Sequence, residues 1–274
     1  MARCCEQHPQ PFYMGLVRSV VGFFAAHGSE QMDAVLVDLT GLFIVPVVQR
    51  LAAGSGGAAL PPPINAAAFE MVSETLRHFN LALLAVRNTS WLPEVFDATL
   101  FALPALAEEN MAVHERTVCG MTRFIRHLLL WADWEFCKGD GNPELQELQM
   151  LAKALVMERP LPRGPALPRL ISALTRVLAA AAPNGPSKGE VVPGVAEVLR
   201  TLFVGPFEYP VSAGLPAALN SLPPPLGSSL SEPEHQRLLQ QLKMEKGDSR
   251  RFLRTVLTLA EQFAVSLKKA QFGG

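Results

Sequence analysis

Apolar residues recur at steps of three and four along most of this chain. The clearest run lies between Ala112 and about Trp134, AVHERTVCGMTRFIRHLLLWADW, where Val118, Met121, Ile125, Leu128 and Ala132 are spaced 3, 4, 3 and 4 apart. That is the repeat of a helix with one buried face. Arg116, Arg123 and Arg126 fall off the stripe, so the same helix predicts a basic flank.

Other helices precede and follow it. Pro11 to Ala26 reads as the first, with Phe12, Leu16, Val20 and Phe23 as its inner stripe and His27-Gly28 as its stop. The second runs from about Glu30 to Leu51; it is apolar nearly all round after Leu39, which predicts burial on more than one side and a kink at Pro46. Gly54 to Pro63 is a loop. Asn65 is placed to cap a third helix carrying Phe69, Val72, Leu76 and Phe79, and NLALLAVRNTS reads as a tight connection. A fourth helix follows from Ser90 or Trp91 to about Leu106, striped by Leu92, Phe96, Leu100 and Leu103, with Pro93 in its first turn.

Beyond the central helix, Asn142 caps and Pro143 opens a helix to about Met157. Ala166 to Ala182, Val192 to Phe203 and Tyr209 to Leu222 follow. Ser231-x-x-Glu234 forms a capping box, and a last helix starts near Asp248 with Phe252, Val256, Leu259, Phe263 and Leu267 inward. The pattern predicts an all-α chain of about eleven helices with no strand. Helix pairs recurring at roughly 40 to 55 residues fit degenerate HEAT- or armadillo-like units, and residues 1–274 read as one α-solenoid of antiparallel pairs.

Composition sharpens this in three places. Hydrophobic residues make up 49% and charged residues 18%, so the chain buries a core, and its net charge of −1 gives no general attraction to nucleic acid or anionic membrane. The apolar stretch Ala34 to Val48 is interrupted by Asp38 and Pro46 and falls short of the roughly 20 residues of a membrane span, which favours a buried helix. Cys4, Cys5, Cys119 and Cys137 show no CxxC pair and read as reduced thiols. Cys5-x-x-His8 has no second pair to complete a zinc site.

No catalytic motif is present. There is no HExxH, GxSxG or GxGxxG, and Gly54-Ser55-Gly56-Gly57 lacks the Lys-Ser/Thr and the strand of a phosphate loop. Glu108-Glu109 reads as a solvated helix boundary. The expectation is a non-enzyme without cofactor or metal. Arg116, Arg123 and Arg126, with Arg77 on a neighbouring unit, admit two readings. One is a solvated face. The other is a clamp for an acidic or phosphorylated peptide, since Arg matches phosphate with two parallel bonds. Arg250, Arg251 and Arg254 head the last helix, the wrong end for its dipole unless Asp248 offsets them.

Four stretches, in order, resemble a known family: EQHPQPF in the first helix, VDLTGLFIVPVVQRL in the second, TVCGMTRFIRHLLL in the centre and VVPGVAEVLRTLF later. Their order and spacing are similar to the C-terminal HEAT repeats of the transportin-3 and importin-13 branch of the β-karyopherins. The resemblance implies a nuclear transport receptor shuttling between nucleus and cytoplasm, binding protein cargo such as Arg/Ser-rich splicing factors and responding to the GTPase Ran. It also implies that this chain is the C-terminal part of a longer solenoid, without the repeats that hold the principal Ran site. The family's cargo-binding arginine helix lies upstream and does not map onto Arg116, Arg123 or Arg126. The alternative is a HEAT-like scaffold unrelated to Ran.

Overall fold

The computed structural model describes residues 10–53, 60–133, 141–185 and 189–272. Among them the chain forms eleven α-helices and one short 3-10 turn: α1 Pro11–Ala25, α2 Glu30–Ala52, α3 Pro62–Arg77, α4 Phe79–Asn88, α5 Trp91–Ala132, α6 Pro143–Met157, α7 Ala166–Ala181, the 3-10 turn Ala182–Asn184, α8 Val191–Val204, α9 Glu208–Asn220, α10 Glu232–Glu245 and α11 Ser249–Phe272. The one β feature among the described residues is an isolated bridge between Leu161 and Gly164.

The chain divides into two compact units. The first comprises Met1–Ala102 and Arg116–Ala166; the second comprises Leu103–Glu115 and Leu167–Gly274. α5 crosses between them and is not one rod. Asn110 leaves helical geometry at φ −162° and ψ 95°, dividing 91–109 from 111–132. The rings of Phe96 and Phe124 lie 6.4 Å apart, whereas 28 residues of straight helix would hold them about 42 Å apart. The two arms therefore double back on each other, as the separate fourth and central helices of the sequence pattern require.

In the first unit α1 and α2 pack on α3, α2 also packs on α4, and α4 on α6. The second arm of α5 lies against α3: Phe124 meets Phe69 at 6.2 Å, Thr117 Oγ1 donates to the Pro62 carbonyl, and Trp131 Nε1 donates to the Leu76 carbonyl. The predicted stripe of that arm is fully buried, Val118, Met121, Ile125, Leu128 and Ala132 all having no exposed surface. In the second unit α8 is the hub, touching α9, α10 and α11, with the Phe203 and Phe252 rings 6.0 Å apart and tilted by 59°.

Several local readings need correction. In α1 the inward residues are Met14, Val17 and Val21, while Phe12, Leu16 and Phe23 are exposed. The helix is apolar on two sides, so periodicity finds both stripes but cannot say which one meets α3. α2 is buried broadly, through Leu36, Val37, Phe43, Ile44, Val47 and Val48, yet Leu42 faces out. It runs through Pro46 to Ala52, and its 23 residues are long and apolar enough to cross a membrane by length and composition alone, with 44% of the qualifying window buried inside the fold. The apolar run Ala34 to Val48 understated it.

Asn65 does not cap α3, which starts three residues earlier with Pro62 at its first position; Asn65 instead donates to the Leu60 carbonyl. NLALLAVRNTS is helical through Asn88: α4 buries Leu81, Ala82, Ala85 and Val86. Other caps are as read. Asn142 Oδ1 accepts from Glu144 N, Glu234 accepts from the backbone and hydroxyl of Ser231, and Asp248 Oδ1 accepts from the backbone of Arg250 and Arg251. Those last bonds pull the Asp248 carboxyl below its usual range and place a negative charge at the head of α11. Gly54-Ser55-Gly56-Gly57, Cys4, Cys5, His8 and Cys137 lie outside the described residues.

Asp33 gives a pH-dependent prediction. It is buried in the first turn of α2, and burial pushes its carboxyl above the usual range, opposed by a hydrogen bond with Asn80. A raised folded-state value means that ionisation penalises the fold at neutral pH, and that this penalty vanishes as pH falls through the carboxylate range. Asp33→Asn should therefore raise the thermal midpoint at pH 7. The gain should close toward zero below pH ~4, read by circular dichroism melts across pH.

Candidate protein-binding face

The basic flank predicted for the central helix lies on the first unit, where α3 is packed between α1 and the second arm of α5. α3 supplies Glu70, Glu74 and Arg77 at steps of four and three, so all three share its outer side. Arg18 of α1 reaches Glu70 at 2.9 Å, and Arg116 of α5 reaches the other oxygen of the same carboxylate at 3.2 Å. Two guanidiniums thus share one carboxylate. Arg116 keeps 77% of its side chain exposed, so most of its N–H donors face solvent.

One turn along, Glu74 stands 3.6 Å from Arg77 and 3.4 Å from His78. Gly22 of α1 lies beside it: a Cβ there would sit 3.7 Å from Glu74 Oε1. His127 of α5 feels Glu74, Arg77 and Arg126. Burial, reinforced by the Arg126 charge, holds its imidazole below the ordinary histidine value, so it stays neutral at physiological pH and adds no charge. Its Nδ1 is buried with no hydrogen-bond partner, as is the neighbouring Ser73 hydroxyl.

Each predicted site residue can now be placed. Arg116 is tied to Glu70. Arg123, seven residues on, is exposed along the same line of the helix, and Arg126 is half-buried beside His127. Arg77 lies near Arg126, both acting on His127. Arg18 was missed, because α1 was taken to bury the wrong side. Glu70 and Glu74 were also missed; their spacing on α3 could have shown them. Glu108, read as a solvated boundary, is exposed beside the Asn110 break and also makes a two-bond pair with Arg176, both bonds at 2.6 Å.

One concave space, of about 410 Å³, lies between α2 and the first arm of α5. Val45, Val48, Val95 and Ala98 line it, with the Asp97–Arg163 pair at one end. Among the described residues no group of three or more His, Cys, Asp or Glu side chains gathers in a metal-holding arrangement. Comparison with protein-family models, with curated proteins and with solved structures finds no match for this chain.

Proposed function

We propose that this chain is a protein-binding helical scaffold, and that the α1–α3–α5 face receives an acidic or phosphorylated segment of its partner. The observation that carries the reading is the shared Glu70 carboxylate. Two arginines on one carboxylate leave a net positive node, and guanidiniums already aligned by that carboxylate lose little freedom when a second anion arrives. Arg77, Arg123 and Arg126 extend the same surface. Packing in the first unit supports the reading: α1 rests on α3 and α2 on α4, each helix on the second one after it, as in a solenoid whose side faces stay open to partners.

The test is fluorescence anisotropy with a labelled peptide of alternating Glu and Ser, with and without phosphoserine. Binding that weakens with salt is expected, tighter for the phosphopeptide. Arg123→Glu with Arg126→Glu should weaken it tenfold or more, about 1.4 kcal/mol, without altering helicity. Binding indifferent to these changes would sink the reading. The narrower version, cargo binding by a nuclear transport receptor, is supported by the ordered resemblance to the β-karyopherins. An added arm with Ran bound to a non-hydrolysable GTP analogue bears on it: a change in peptide affinity favours transport, and indifference favours the Ran-independent scaffold or a piece of a receptor without its main Ran repeats.

A further inference from the structure

The outer side of the α1–α2 pair is apolar and uncovered. On α1, Phe12, Leu16 and Phe23 are 73%, 39% and 64% exposed; on α2, Met32, Val35 and Leu42 are 38%, 51% and 47% exposed. α1 and α2 pack on α3 and on each other, so their outward stripes are neighbours on one pair of helices. Phe23 is held in place, edge-on to Phe24 at 5.2 Å and stacked on His27 at 5.7 Å. These six side chains leave on the order of 550 Å² of apolar surface in water, the upper end of what a monomer shows.

We propose that this patch is covered by the same patch of a second copy, giving a two-fold dimer built on α1 and α2. The area fits. Two patches bury about 1,100 Å² of apolar surface, and a polar rim brings the total to the roughly 1,200–2,000 Å² of a stable interface. A two-fold contact must tolerate its own charges, and the exposed charges of α2 beyond its first turn are of both signs, Asp38 and Arg50.

A membrane fits less well. Surface-lying helices carry Lys and Arg along the edge of the apolar face. Here the basic residues of both helices are Arg18, bonded to Glu70, and Arg50. For α2 to span a bilayer it would have to leave α1, α3 and α4 and take Asp33 and Thr40 into lipid.

Sedimentation velocity on the full chain from about 1 to 100 µM tests this. A concentration-dependent monomer–dimer equilibrium is expected. Phe23→Glu with Leu42→Glu should weaken it at least tenfold and leave the circular dichroism spectrum intact. The milder pair Phe12→Gln and Val35→Thr should weaken it less, and serves if the first pair fails to fold. Met150→Glu, at an exposed position on α6, should change nothing. A monomer throughout the range overturns the proposal. So does a dimer untouched by both pairs of substitutions, or a monomer that floats with neutral phosphatidylcholine vesicles through these same residues. The basic face plays no part, so either proposal stands if the other fails.

Discussion

Phe124→Ala should destabilise the first unit by about 3–5 kcal/mol. Phe124 has no exposed surface and joins three segments: its ring meets Phe69 of α3 at 6.2 Å, tilted by 55°, and Phe96 of the other arm of α5 at 6.4 Å, nearly edge-on at 69°. Truncation removes the transfer energy of a phenyl group and leaves a void. The void cannot close cheaply, because the doubled-back arms of α5 and helix α3 would have to approach together. Trp91 and Trp131 both belong to this unit, so their fluorescence in a urea titration reports its unfolding. Met150→Ala, at an exposed side chain, should cost under about 0.5 kcal/mol by the same measure. A Phe124→Ala midpoint within error of the parent would mean that the arms do not meet as described.

That aromatic cluster shows what the sequence makes legible. Long amphipathic runs with one apolar stripe, such as Val118 to Ala132 and Phe252 to Phe263, are found at their observed positions with the observed side buried. There the pattern has one solution. In the helix opened by Asn142-Pro143 the read stripe buries Leu148 and Leu155 but leaves Leu145 and Leu151 half-buried. α1 has two apolar sides, so the choice between Met14–Val17–Val21 and Phe12–Leu16–Phe23 is made by α3, a helix more than 35 residues away. α4 was overlooked for a different reason. At ten residues it is too short to display its period, and His78, extended at φ −96° and ψ 129°, is all that separates it from α3. The candidate face was half legible for the same causes. Arg116, Arg123 and Arg126 are set by a strong stripe, whereas Arg18 depends on how α1 turns. Glu70, which collects Arg18 and Arg116, lies 46 residues or more from either. No local pattern carries such a pairing.

Arg163→Ala should cost the first unit about 2–4 kcal/mol, the larger effect of the two partners in its ion pair. Asp97 on the first arm of α5 is 2% exposed, and its carboxylate takes a 2.6 Å bond from the Arg163 guanidinium and a 3.4 Å bond from the Arg163 backbone. The guanidinium is 38% exposed and lies 4.6 Å from the centre of the Phe101 ring. The two ends of the pair are therefore unequal. Removing Asp97 leaves an arginine that can turn to water, but removing Arg163 takes a charged hydrogen bond from a carboxylate shut away from water, which is the costlier loss. Asp97→Asn should accordingly cost less, about 1–2 kcal/mol, since the amide oxygen still accepts the backbone bond. The double variant should cost clearly less than the sum of the singles, because the charge that makes Arg163→Ala expensive is then gone. Urea titrations of the four proteins, read by tryptophan fluorescence, close the cycle. Additive losses would show that this pair is a surface contact with no buried partner to strand.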